Sequence, residues 1–159
     1  MLEKFISDAV VSHSVRLVGS YRTLTGRNLF GQAEGPDEDA VEIAIALYSA
    51  PFVVVSHGTQ LDPVLSYGNR AALELWGMSW EEFIQTPSRF TAEQPEREER
   101  ARLLEAVSTH GFIDNYSGVR ISKSGRRFRI ERAIVWNVLN GNGERAGQAA
   151  TFADWKWIE

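Results

Sequence analysis

Cysteine is absent from the 159 residues. That excludes disulfides, iron–sulfur clusters, thiolate zinc sites and any cysteinyl nucleophile or cysteinyl–flavin adduct. Histidine is scarce: only His13, His57 and His110 occur, none at the i, i+4 spacing of a helical metal site. No apolar run approaches the roughly 18 residues of a membrane span. The start of the chain, "MLEKFISDAV", sets an acid beside its lysine and has no long apolar segment, so no secretory signal is expected and a cytoplasmic location is. An excess of positive charge is missing too. The net charge of −4 argues against broad nucleic-acid binding, which depends on a positive surface that displaces counterions. Locally, "VRISKSGRRFRIER" carries six basic residues against one acid. It reads as a solvated sheet face with cross-strand partners, an anion-binding patch being the alternative.

Hydrophobic residues make up 43% of the chain and charged ones 24%, ordinary values for one domain with a real core. From Phe5 to Leu24, Ile6, Val10, Leu17, Tyr21 and Leu24 recur at helical spacing, which predicts an amphipathic helix ending near Gly26. Residues 1–36 are that helix and a linker, and 37–159 the main domain with a leading helix capped by Asp37 or Asp39 and stopped by Pro51. "PFVVVSH" is a β-branched strand needing cover on both faces. "VLSYGN" is a second strand, whose Asn69 can cap the helix "RAALELWG". "SWEEF" is a capping box of Ser79 with Glu82, and Thr91 with Gln94 repeats that logic before a longer helix ending at Gly111. Glu96–Arg100 and Glu98–Arg102 stand four apart on its wet face. The remainder reads as three strands joined by Ser-Gly and Asn-Gly turns. The sum is an α+β domain with a five-stranded antiparallel sheet.

"PFVVVSHGTQLDPVLSYGNRAALELW", "PSRFTAE", "REERARLL", "GFIDNYSGVRIS" and "GRRFRIERAIVWN" resemble the MEKHLA family in its bacterial stand-alone form. That is a PAS-related domain also found at the C-terminus of plant class III homeodomain–leucine zipper proteins. The resemblance covers about residues 12 to 153. It implies a PAS-like fold with helices on one sheet face, N-terminal helices on the other face or at a dimer interface, and a role in sensing or partner binding. Some haem-binding PAS domains place their proximal ligand where His110 ends the long helix here; the helix dipole explains a histidine there as well.

Ser56, His57 and Asp62 supply the residue types of a hydrolase triad. Ser56 and His57 are adjacent on a strand, however, so their side chains point to opposite faces. The resemblance leaves His57 as a residue of the pocket mouth. Tyr67, Leu73 and Trp76 are expected to line the pocket. In the 128–136 strand, strict alternation sets Phe128, Ile130, Ile134 and Trp136 on one face with Arg132. An arginine in an apolar row must bind an anion, pair with Asp114, or be turned outward by a bulge. In the 112–121 strand, Asn115 and Ser117 share a face with Ile113, Val119 and Ile121, a mixture suited to a cavity. The expected function is a non-enzymatic sensory module for a small organic or acidic ligand, homodimeric through its N-terminal helix and signalling to a separate output protein. Its alternatives are a ligand-free interaction module, with Trp76, Trp136 and Phe128 filling the space, and a small enzyme with His57 or Asp114 as base.

Overall fold

A computed structural model describes residues 5–31, 39–94 and 97–158. Helix α1 (Asp8–Thr25) starts three residues later than the apolar spacing suggests, because the Ser7 hydroxyl accepts from the Val10 N–H and fixes the first turn. It ends at Gly26, as expected. Helix α2 (Ala40–Ser49) is capped by Asp39, whose carboxylate accepts from Val41 and Glu42 N–H at 2.9 and 3.2 Å. The other candidate cap, Asp37, and most of the linker lie outside the described residues. Strands β1 (Val53–His57) and β2 (Leu65–Gly68) lead into α3 (Arg70–Trp76) and α4 (Trp80–Phe83). The Ser79–Glu82 capping box is present as the sequence indicates. A 3-10 turn (Ser88–Thr91) precedes α5 (Arg97–His110), and strands β3 (Phe112–Ile121), β4 (Arg127–Leu139), β5 (Arg145–Phe152) and β6 (Asp154–Trp157) complete the chain.

Two expectations around α5 need correction. Thr91 does not begin a capping box; its hydroxyl donates to the Ser88 carbonyl within the 3-10 turn. Arg102 pairs with Glu99, three residues away, instead of Glu98. Glu96, of the other expected pair, lies outside the described residues.

The sheet is antiparallel, in the order β2-β1-β5-β4-β3. The last strand expected from the sequence is two. β6 pairs with β4 as Glu131↔Asp154 and Phe128↔Trp157, while β5 pairs with it as Ile134↔Thr151 and Val138↔Gly147. Each pair of numbers has the same sum, so β6 continues the β5 ladder across a break at Ala153. The break coincides with a bulge at Arg132, which takes φ +53°. A residue in that left-handed conformation reverses which way the following side chains point. Phe128 and Ile130 therefore share a face with Ala133 and Val135, while Trp136 and Val138 fall on the opposite face. The same device recurs on β3, where Asn115 also has φ +53°.

Each sheet face has its own core. On one side Trp76, Phe83, Ile113, Tyr116, Phe128, Ile130, Val135 and Phe152 pack between the sheet and α3 to α5. On the other, Leu17 and Tyr21 of α1 and Leu47 of α2 cover Val54, Tyr67, Trp136, Val138 and Ala149. Each large side chain so buried contributes about 1.5–3 kcal/mol. Two hydrogen bonds pin α1 to β4: the Trp136 indole donates to the Leu17 carbonyl at 3.2 Å, and the Ser20 hydroxyl accepts from Leu139 N–H at 2.8 Å. The helix thus covers the sheet within one chain. Gly147 and Ala149 keep β5 thin beneath it, and a Cβ at Gly147 would meet the His57 carbonyl at 2.5 Å.

Candidate functional site

Between the sheet and the α3–α5 layer lies a cavity of about 120 Å³. Its apolar lining includes Val55, Leu65, Trp76, Phe83, Ile130 and Val135. These positions face inward because β1 alternates regularly and β4 is brought into phase by its bulge. Trp76 is held at the wall by its indole, which donates to the Thr91 carbonyl at 3.3 Å. Polar groups enter from the 3-10 turn, with Ser88 and Thr91, and from the sheet. His57 on β1 and Gln148 on β5 are register partners and reach the cavity together. Tyr116 and Arg120 enter from β3, two strands further across the sheet.

The electrostatics of these groups follow from their burial. His57 has Nδ1 2.9 Å from the Gly58 carbonyl, and burial holds its pKa below the usual histidine range, partly offset by the Gly58 and Gln148 hydrogen bonds. A neutral imidazole results, one nitrogen donating and the other accepting. Burial likewise lowers the Arg120 guanidinium from the usual arginine range, while the adjoining Tyr116 phenol works in the opposite direction.

The structure brings together only part of the residue set that the sequence suggested. His57 and Trp76 line the cavity. Leu73 is buried in the same core, and Phe128 lies beside Trp76 with ring centroids 5.2 Å apart, as filling and not as lining. The others are displaced by the two bulges or by their strand phase. Trp136 faces α1 on the far side of the sheet, and so does Tyr67, which contacts Trp80 and His13. Arg132 is turned outward by its own φ and pairs with Asp154 at 3.1 Å; the alternative partner, Asp114, pairs with Arg27 at 3.2 Å. Asn115 sits exposed at the β3 bulge. Ser117 accepts from Arg129 at 3.3 Å and lines an adjoining polar groove with Glu93, Glu99, Arg129 and Arg120, the last of which also reaches the cavity. His110 is exposed at the end of α5, away from the cavity lining.

Beyond the bulge at Asn115, it is Tyr116, Gly118 and Arg120 that continue the inward row begun by Ile113. Sequence alternation passed over Tyr116, Arg120 and Gln148. Asn115 itself was the available signal, since asparagine is among the few residues that adopt the left-handed conformation readily.

Ser56 and His57 do point to opposite faces, as alternation requires. Ser56 is 1% exposed beneath α1, where its hydroxyl lies 2.9 Å from His13 Nε2 and 2.8 Å from Ser66 Oγ. That chain of side chains fastens α1 to the sheet and occupies the Ser56 hydroxyl. Asp114, the other candidate base, is exposed on the surface. Among the described residues no cluster of three or more histidine, aspartate or glutamate side chains could hold a metal ion, and no helix is long and apolar enough to cross a membrane.

Known proteins resemble this arrangement. A PAS domain of a protein from Colwellia psychrerythraea superposes with a TM-score of 0.58 at 19% identity, covering 72% of this chain and 92% of that one. A light-oxygen-voltage domain studied with a flavin analogue superposes with a TM-score of 0.54 at 17% identity, over 74% of this chain and 84% of that one. At such identities the likeness is one of fold, which is PAS-like. In sequence, the homeobox-leucine zipper protein ATHB-9 of Arabidopsis thaliana is 23% identical over 140 residues, 87% of this chain. The chain spans 17% of that relative's length. The model of the MEKHLA domain matches residues 11–157. The chain therefore belongs to the MEKHLA domain family, a family with a PAS-like fold.

Proposed function

We propose that the protein is a non-enzymatic sensory module that binds a small molecule between its sheet and helices and passes the signal to a separate partner. The observation that carries this reading is the cavity beside Trp76. It has an apolar body and polar groups converging from three strands, the composition expected of a small-molecule site. Its size limits the occupant. A cavity of about 150 Å³ takes a molecule such as benzene, so about 120 Å³ suits a ligand of that scale. Flavin does not fit, because ring systems of that size need pockets of at least about 300 Å³ and no cysteine is available for an adduct. Haem, larger still, exceeds the same volume, and His110 stands outside the cavity lining.

Signal transfer is assigned to α1. It shares strands β1, β5 and β4 with the cavity, from the opposite face, through Val54, Ala149 and Trp136. A homodimer would use the outer faces of α1 and α2, where Val15, Val41 and Ile45 are exposed. A second reading, a ligand-free interaction module, is favoured by the aromatic cluster of Trp76, Phe83, Phe128 and Phe152, which already fills much of the space.

Native mass spectrometry on protein purified without added ligand tests these readings. A reproducible excess mass supports the sensor, and the subunit count reports the dimer. A clean apo mass that no small aromatic or aliphatic compound changes would favour the interaction module.

A further inference from the structure

On the inward row of β3, Gly118 stands between Tyr116 and Arg120. A Cβ there would lie 2.9 Å from Arg120 Nη1 and 3.6 Å from Tyr116 Cε2. The bare backbone is thus a slot into which the arginine folds back along its own strand. Its guanidinium lies against the Tyr116 phenol, and Nη1 donates to the Val119 carbonyl at 3.2 Å. A guanidinium offers five N–H donors, so most of its capacity is unspent. The carboxylates of the adjoining groove are committed elsewhere: Glu93 to Arg127 and Glu99 to Arg102. Among the described residues no carboxylate lies within ion-pair distance of Arg120.

A half-buried cation in contact with an apolar cavity, held by a glycine slot and short of an acidic partner, is costly unless an anion completes it. The other arginines of the basic hairpin differ. Arg127, Arg129 and Arg132 are exposed and pair with Glu93, Glu131 and Asp154, and Arg126, exposed too, stacks over the Trp157 ring at 4.1 Å. Only Arg120, of this group, lines the cavity.

We propose that Arg120 anchors the carboxylate of a small organic acid whose apolar body rests against Trp76, Phe83 and Ile130, with the Tyr116 hydroxyl as a second donor. The planar fork of the guanidinium matches a carboxylate in two parallel hydrogen bonds. This deepens the sensor reading and rests on it. The size of the cavity sets the ligand class as a monocarboxylate with about three to seven heavy atoms beyond its carboxyl, on the scale of benzene.

The test is calorimetric titration with benzoate and with straight-chain acids from butyrate to octanoate, each beside its neutral amide. It uses the full chain, Arg120→Gln and Gly118→Ala. At least one acid should bind the native protein about tenfold to a hundredfold more tightly than its amide, the range that loss of a buried charged hydrogen bond commands. Arg120→Gln should erase that preference while leaving amide binding in place. Gly118→Ala needs only the flexible end of one side chain to move, so it should fold normally and still lower acid affinity severalfold. Equal binding of acid and amide by the native protein overturns the role of Arg120 and leaves the cavity reading standing. A preference for acids that survives both substitutions overturns it also, by placing the anion elsewhere. If neither acids nor amides bind, the small-molecule reading itself falls.

Discussion

Replacing Asn69 by aspartate changes one atom group and should remove a large part of the stability. Asn69 is fully buried, and its side chain ties three elements together. The side-chain oxygen accepts from Val54 N–H at 3.1 Å and from Ala72 N–H at 3.2 Å. The side-chain nitrogen donates to the carbonyls of Leu47 at 3.1 Å and Phe52 at 2.8 Å. An ionised aspartate has no donor. Asn69→Asp therefore leaves two buried carbonyls facing a negative oxygen, at about 1–3 kcal/mol for each lost partner. A total of about 3–5 kcal/mol at neutral pH is expected, against the 5–15 kcal/mol typical of a whole domain. The loss should depend on pH. Burial and the two carbonyls raise the pKa of the new carboxyl above its unfolded value, so the folded variant holds a proton that the unfolded chain has released. Its stability then falls as pH rises from the unfolded pKa, roughly 4, through the folded one, by about 1.4 kcal/mol for each pH step of one between them. Urea unfolding of both proteins at pH 5 and pH 8 measures the gap, which should be smaller at pH 5. A gap below about 1 kcal/mol, or one equal at the two pH values, would refute the reasoning, since a fully buried hub cannot lose two donors at so little cost.

Arg132→Ala should cost less than about 1 kcal/mol in urea, because the Arg132–Asp154 pair is exposed to water on both sides. It should leave the affinity for any small acid unchanged in the titration described above, in contrast to Arg120→Gln. His13 has its pKa lowered to about 4, chiefly by burial between α1 and the sheet and then by Arg16. Its folded pKa lies below the unfolded 6.5, so the folded state refuses a proton that the unfolded chain takes up. Stability is fully present above pH 6.5 and is lost as pH falls toward 4, by up to about 2–3 kcal/mol. His13→Gln should flatten that part of a melting-temperature profile, and parallel profiles for the two proteins would show that His13 is not a buried neutral group.

The sequence by itself determined every feature that depends on neighbours along the chain. Asp39, Asn69 and the Ser79–Glu82 box cap their helices as their side-chain chemistry demands, and Gly26, Gly77 and Gly111 close theirs. A capping bond spans three or four residues, so its donor and acceptor are legible together. The opposed faces of Ser56 and His57 were legible for the same reason, and the family from its long ungapped stretches. The tertiary structure alone decided the phase of the two long strands. A single left-handed residue moves everything after it to the other face, and whether it occurs is set by what the next strand offers. At Arg132 the compensation comes from Asp154, 22 residues away, and from the matching break between β5 and β6. That one non-local event sent Trp136 to α1. Its counterpart at Asn115 delivered Tyr116 and Arg120 to the cavity, because alternation fixes which side chains travel together but not which face receives them.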